Sequence, residues 1–183
     1  MKQLILKYKS VIRFVALFLG SYLVLTGAYA LYLHLSKNGS YPPDLVTNLV
    51  ARQSSQLIES FGYEAAIVPH ESQPTMKLFV EREYLARIIE GCNAVSIIIL
   101  FIAFIIAFAE KWKKTLLFIF AGAVLIYGVN VIRIALLAIA LYTYPQHEHV
   151  LHGVVFPGII YGMVFLLWML WVRTVSRTKQ AKT

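Results

Sequence analysis

The chain is strongly apolar for its length of 183 residues, with 59% hydrophobic residues, 14% charged residues and a mean hydropathy of +0.69. These values exclude an ordinary water-soluble domain. The formal net charge is +8, but most cations flank long apolar runs, which is typical of membrane orientation and not of nucleic-acid binding. A single cysteine, Cys92, excludes an intramolecular disulfide and a multi-thiolate metal site.

Four runs without Asp, Glu, Lys or Arg are long enough to cross the hydrocarbon core as helices, since a crossing needs about 20 residues. They cover residues 14–33, 91–109, 115–132 and 153–172. We therefore expect an all-α integral membrane protein with about four transmembrane helices and a small extracytoplasmic α/β segment between the first and the second.

The predicted organisation follows from these runs and from the cations between them. Lys and Arg precede the first run, separate the second from the third and follow the fourth, so these three segments are expected on the cytoplasmic side. In chain order we predict a cytoplasmic basic N-terminus (1–10), span 1 (11–35), an extracytoplasmic segment (36–90), span 2 (91–109), a cytoplasmic loop (110–114), span 3 with an outer extension (115–144), an extracytoplasmic loop (145–152), span 4 (153–172) and a cytoplasmic basic tail (173–183).

Two parts of this topology stay open at the level of sequence. The start of the chain and Ala28-Tyr29-Ala30 resemble a signal peptide with a cleavage site, although the first run is longer than the apolar central region of a usual signal peptide. The apolar residues 134–142 are read as an extension of span 3, a bent segment or a helix in the outer interface.

The segment 36–90 is expected to lean on the membrane helices, because so short a segment buries little core by itself. Asp44 leads into a predicted helix that ends at Gly62. Residues 65–68 and 76–80 are predicted to pair as short strands, and 82–90 are predicted as a helix that runs into span 2. The residues expected on one face of the first helix are Val46, Leu49, Val50, Leu57 and Phe61.

Two polar residues of different spans are predicted to reach the outer membrane boundary. Cys92 opens span 2, where a helix N-terminus favours a thiolate, although a cysteine in an apolar helix also serves plain packing. Arg133 follows Thr115 by 18 residues, a rise of about 27 Å, which brings it to the level of Cys92. It either faces a cavity in the bundle or snorkels to headgroups. Asn130 lies on the same helical face as Arg133.

Three histidines, His147, His149 and His152, lie just before span 4 and therefore at the same boundary. Each histidine either packs at the membrane interface or takes part in catalysis. Their spacing is also compatible with a metal site, although zinc needs further ligands. A histidine exchanges protons with a thiol and a leaving amine, while a guanidinium stabilises a thiolate or an oxyanion. Together the residues have the composition of a cysteine acyl-transfer site.

These motifs resemble the exosortase/archaeosortase family of membrane cysteine transpeptidases, in particular a compact exosortase of the F type. The resemblance covers about residues 82–172. The matching stretches are Glu90-Gly91-Cys92-Asn93-Ala94, then Asn130-Val131-Ile132-Arg133-Ile134, then His152-Gly153-Val154-Val155-Phe156 and the following residues to Tyr161. Arg133 and His152 are closer in sequence than in longer members of the family.

The resemblance implies a protein of the bacterial cytoplasmic membrane with both termini cytoplasmic. It implies cleavage of substrate proteins at a C-terminal sorting signal, made of a short motif, one membrane helix and a basic tail, through a thioester. Cys92 would be the nucleophile, Arg133 the electrostatic stabiliser and His152 the acid/base, with His149 as the alternative and Asn130 in support. No cofactor, metal or nucleic acid is expected. The alternative function is a non-catalytic assembly or accessory subunit in which Arg133 pairs with Glu90 or Glu148.

Overall fold

The computed structural model describes residues 8–36, 41–109 and 111–180. Parts of the predicted terminal segments 1–10 and 173–183 lie outside these residues. The main elements in chain order are helices α1 (Lys9–Ser36) and α2 (Leu45–Ser60), strands β1 (Ala65–Pro69), β2 (Met76–Val80) and β3 (Glu83–Ile88), and helices α3 (Val95–Ala107), α4 (Trp112–Thr143) and α5 (Phe156–Gln180).

Three helical stretches in the described residues are long and apolar enough to cross a membrane: Lys9–Ser36, Trp112–Thr143 and Pro145–Ser176. The fold is thus mostly helical with a small sheet. The segment predicted as span 2 contains a helix of only 13 residues, α3, which is about 20 Å long and shorter than the hydrocarbon core. It packs against all three long helices, and its crossing of the membrane stays a prediction.

The sheet is antiparallel in the order β1-β2-β3. The predicted pairing of the first two strands is therefore confirmed. The predicted helix over 82–90 is wrong, because Glu81 and Arg82 both take positive φ and close a two-residue hairpin that returns the chain as β3. A bulge beside Leu78 and Phe79 breaks the alternation of β3, which is why the strand pattern is hidden in the sequence.

The first helix of the segment, α2, begins as predicted, since the Asp44 side chain accepts hydrogen bonds from the N–H groups of Val46 and Thr47. Its predicted buried face is partly wrong, because Leu49 and Phe61 are exposed. The buried face carries more small and polar residues than apolar ones: Thr47, Asn48, Val50, Ala51, Ser54, Ser55 and Ile58. Small side chains there allow α2 to pack closely on α4.

The apolar core has two parts that share helix α4. The sheet cluster joins α2, the sheet and α4 through Val50, Ala51, Ile58, Met76, Leu78, Val80, Ile88, Val131, Ile134, Ala135 and Ala138. The bundle cluster joins α3, α4 and α5 through Ala94, Phe101, Ile105, Ile126, Val164, Leu167, Trp171 and Val175. The segment between α1 and α3 thus packs against α4, as expected because so short a segment buries little core by itself.

Helix α4 runs without interruption through residues 134–142, so this stretch is an extension of span 3. The following segment differs from the predicted loop over 145–152. Pro145 opens a short 3₁₀ turn, a short helical turn follows, and a π-helical turn (Leu151–Val155) leads directly into α5. The sequence pattern did not predict this helix because its first two turns are polar. Pro145 was the local signal for it, since a proline at the first position favours a helix start.

Candidate active site

A cavity of about 520 Å³ lies where β3, the C-terminal part of α4 and the helical turns before α5 meet. Cys92, Arg133 and His152 all line it. The three come from separate segments of the chain, so the tertiary fold and not local sequence brings them together. A cleft of this size is in the usual range for a binding site.

Cys92 is the last residue of a 3₁₀ turn (Glu90–Cys92) between β3 and α3. It is half-buried and reduced. The sequence placed it in the first turn of a helix, but α3 begins only at Val95, because Ala94 takes a left-handed φ of 63° that no helix continues. The Cys92 thiol therefore lies just before the helix. Between them, Ala94 has a backbone conformation that is uncommon for alanine.

The neighbouring Asn93 fixes this turn to three other elements. It is 1% exposed, and its Nδ2 donates to Tyr29 Oη at 2.8 Å and to Thr47 Oγ1 at 2.9 Å, while its Oδ1 accepts from the N–H of Val95 at 2.9 Å. These bonds tie α1, α2 and α3 together beside Cys92. The sequence named Asn93 only as part of the motif around Cys92, since the partners of its side chain are distant in the chain.

Asn130 holds the turn from the opposite side. Its side chain is 1% exposed, and Nδ2 donates to the backbone carbonyl of Cys92 at 2.7 Å. A buried amide that bonds to a backbone carbonyl fixes the position of the residue that carries it. The sequence expected Asn130 to support Arg133 or its target; in the structure it orients the backbone of the cysteine.

Arg133 lies one turn further along α4 and is half-buried, with its Nε buried and without a hydrogen-bond partner among the described residues. The guanidinium is close enough to Cys92 and Tyr161 to interact with both electrostatically. Arg133 lines the same cavity as Cys92. The two ion pairs among the described side chains, Lys77–Glu71 and Arg82–Glu64, do not involve it.

His152 is exposed and lies in the π-helical turn that opens the last helix. It lines the cavity, whereas His149 and His147 do not; the ring of His147 instead packs edge-on against Tyr144 at 6.4 Å. π-Helical turns often occur at functional sites. In the part of the chain that the structure describes, no three His, Cys, Asp or Glu side chains converge as metal ligands.

Two parts of the cavity wall were not predicted as site residues. Glu148 lines it from the segment that the sequence assigned to a loop. It precedes His152 by four residues, a spacing that places both on one face only if the segment is helical. Residues 84–89 line the cavity as well, and the predicted helix concealed them.

The fold and the cavity define a multispan membrane protein with a cysteine, an arginine and a histidine around one cleft. A sequence model of the transmembrane exosortase family matches residues 10–172. The chain therefore belongs to the transmembrane exosortase family, and the match covers nearly the whole chain instead of only the half that carries the short motifs. No curated protein and no solved structure matches it.

Proposed function

We propose that the chain is a membrane cysteine transpeptidase that cleaves the C-terminal sorting signals of secreted or surface proteins through a thioester at Cys92. Membership of the exosortase family supports a membrane transpeptidase or sorting role in general. The observation that supports cleavage through a thioester at Cys92 is that Cys92, Arg133 and His152 line one cavity together.

The chemistry requires three groups, and these residues supply each of them. His152 takes the thiol proton while Cys92 Sγ bonds to the carbonyl carbon of the scissile peptide. Arg133 stabilises the negative oxygen of the tetrahedral intermediate. When the C–N bond breaks, His152 returns the proton to the leaving amine and an acyl-thioester remains on Cys92. The amine of an acceptor, or water, then attacks the thioester and restores the thiol.

The bilayer supplies the positioning in this proposal. The membrane helix of a substrate has a fixed hydrophobic length, so its outer end comes to the boundary where the cavity opens. We place the protein in the bacterial cytoplasmic membrane with both termini cytoplasmic and the cavity on the extracytoplasmic side. Both termini lie on one side only if α3 and its flanking turns complete a fourth crossing.

The alternative is a non-catalytic assembly subunit, held together by an ion pair between Arg133 and Glu90 or Glu148. Arg133 forms neither pair in the described structure, which favours the enzyme. The alternative predicts that Cys92 tolerates replacement by serine or alanine.

The proposal is tested by comparing the masses of membrane and secreted proteins from cells that carry the wild type, Cys92→Ala or Ser96→Ala. Ser96 is exposed on α3 and lies outside the cavity, so Ser96→Ala is the matched control. We expect a set of proteins to keep their C-terminal helix and basic tail only in Cys92→Ala cells, at an equal level of enzyme. Processing that continues in Cys92→Ala cells would contradict the proposal.

A further inference from the structure

Strand β3 is at an edge of the sheet, since β2 lies between it and β1. Six consecutive residues, 84–89, line the cavity. Successive side chains of a strand point to opposite faces, so a cavity that meets every residue in turn reaches the edge of the strand. Leu78 of β2 also lines the cavity, which therefore extends from this edge under one face of the sheet. The free edge of β3 is therefore a wall of the cavity that contains Cys92.

The hydrogen bonds beside β1 show which backbone groups face that edge. The N–H of Glu81 donates to the carbonyl of Glu64, and the N–H of His70 donates to the carbonyl of Thr75, both at 2.9 Å. In an antiparallel ladder the bonded pairs alternate along each strand. The odd-numbered residues of β2 therefore bond to β1, and the even-numbered ones bond to β3.

Ala86 and Ile88 pair with the even-numbered residues Leu78 and Met76, so their backbone groups bond to β2. Arg87 lies between them, and its N–H and carbonyl point to the free edge. Among the described residues, no backbone hydrogen bond outside the sheet involves residues 84–88. An exposed edge of this kind is a template for pairing with another extended chain.

From this arrangement we infer that the extended segment of a substrate, just before its membrane helix, binds along β3 as an added strand. The inference rests on the proposed function, because it uses Cys92 as the point of cleavage. β3 ends at Ile88 and Cys92 follows four residues later. A substrate that runs from its outer domain toward its membrane helix travels in the same direction as β3, so the added strand is parallel and delivers its next peptide bond to the thiol.

This mode of binding also defines the substrate class. Main-chain bonds to the Arg87 backbone accept any sequence other than proline at the bonded position, so selection depends on alternate side chains. Beyond Arg133, the wall that α4 contributes to the cavity is apolar and consists of Ile134, Leu137, Ala138 and Leu141. Side chains of the substrate that face this wall are therefore apolar at every second position, while those between them are free to be polar.

The first test compares Arg87→Pro with Arg87→Ala in the full-length enzyme in cells. The probe is an N-terminally tagged copy of a protein whose tail persists in Cys92→Ala cells. Arg87→Pro removes the outward N–H without removing a bond to β2, and proline is tolerated at strand edges. Arg87→Ala removes the side chain and its 2.7 Å bond to Gln73 Oε1 but keeps the N–H.

We expect Arg87→Pro to slow cleavage about tenfold or more at equal enzyme level, the effect of one lost backbone bond, and Arg87→Ala to slow it by a clearly smaller factor, because its N–H remains. Equal cleavage by the two variants would overturn the inference. In that case a loss of cleavage in Cys92→Ala would still leave the proposed function standing, so the two failures are distinguishable.

A cross-linking test gives an answer even if Arg87→Pro does not accumulate. The enzyme carries Arg87→Cys together with Cys92→Ala, and the probe carries single cysteines at successive positions before its membrane helix. Oxidation is expected to produce a disulfide with positions of one parity only, as pairing of strands requires. Cross-links at all positions alike would overturn strand addition. A probe that co-purifies with the enzyme but forms no cross-link would also overturn it, and would indicate that the cleft holds an apolar occupant such as a lipid chain.

Discussion

The sheet cluster and the bundle cluster share helix α4 but differ in what surrounds their apolar residues. The sheet cluster borders buried polar groups, among them Thr47, Asn93 and Asn130, and one side of it opens to the cavity. The bundle cluster is surrounded by stacked aromatic rings, including Phe104 against Trp168 at 4.5 Å. The difference indicates that the bundle supplies stability and the region above it supplies a fixed, polar site.

Replacement of Cys92 or Arg133 by alanine is expected to have the largest effect on function. Loss of the nucleophile, or of the group that stabilises the oxyanion, is expected to lower cleavage by about a thousandfold or more. The amount of folded protein in the membrane is expected to stay normal, since neither side chain belongs to the buried part of either cluster. Quantitative mass spectrometry of tail cleavage and of the enzyme checks both statements. Mild, equal losses for both variants would remove the catalytic assignment.

The two histidines His152 and His149 form a matched pair, because they are three residues apart in the same helical segment and both are exposed. Only His152 lines the cavity. We expect His152→Ala to lower the rate of cleavage by about 10² to 10⁴, the usual contribution of a general acid/base, and His149→Ala to leave it near normal. A larger loss for His149→Ala would assign the proton transfer to the other histidine.

Asn130→Ala tests how much the positioning of Cys92 contributes to cleavage, because it leaves the catalytic side chains in place. It leaves the Cys92 carbonyl without its 2.7 Å donor, which is expected to cost about 1–3 kcal/mol of folding stability. Because the nucleophile is then less well positioned, we expect cleavage by the folded enzyme to fall about ten- to a hundredfold. Because Asn130 bonds to the backbone of the nucleophile and does not line the cavity, we expect kcat to fall while KM stays nearly constant. Steady-state kinetics of the purified enzyme measure the two separately, and a change confined to KM would contradict this role.

Gly122→Ala tests the bundle cluster, with Gly128→Ala in the same helix as its control. A Cβ at Gly122 would collide with the ring of the buried Phe101, whereas a Cβ at Gly128 meets nothing within 4 Å. We expect Gly122→Ala to destabilise the fold by about 1–3 kcal/mol and Gly128→Ala to be neutral or slightly stabilising.

Thermal denaturation in detergent measures the destabilisation by Gly122→Ala, which is the smallest of the expected effects. The comparison between the two regions adds a second expectation, which is that cleavage per folded molecule stays unchanged in both glycine variants. A large loss of specific activity in Gly122→Ala, with normal stability, would show that the bundle does more than hold the site in place.

The sequence predicted one membrane level for Cys92, Arg133 and His152, because the depth of a residue in a membrane helix follows from its distance to the charged ends of that helix, and in the structure all three line one cavity. The sequence was not sufficient to predict the walls of the cavity. The β2–β3 hairpin turns at Glu81-Arg82 without the usual glycine or asparagine, and a bulge hides the alternation of β3. The helical start at Pro145 lacks an apolar stripe, and the buried face of α2 is largely polar, so its apolar residues indicated that face only in part. Each of these features depends on tertiary partners that a local pattern does not contain.

The central claim is that Cys92 carries the acyl group during cleavage, and hydroxylamine tests it most directly. Purified enzyme in detergent is mixed with a substrate protein identified from Cys92→Ala cells, with and without hydroxylamine, and the released N-terminal fragment is weighed by mass spectrometry. A thioester predicts that the fragment ends in a hydroxamate when hydroxylamine is present, and that Cys92→Ala yields no fragment. A fragment with the same free carboxylate under both conditions, or cleavage by Cys92→Ala, would contradict the account.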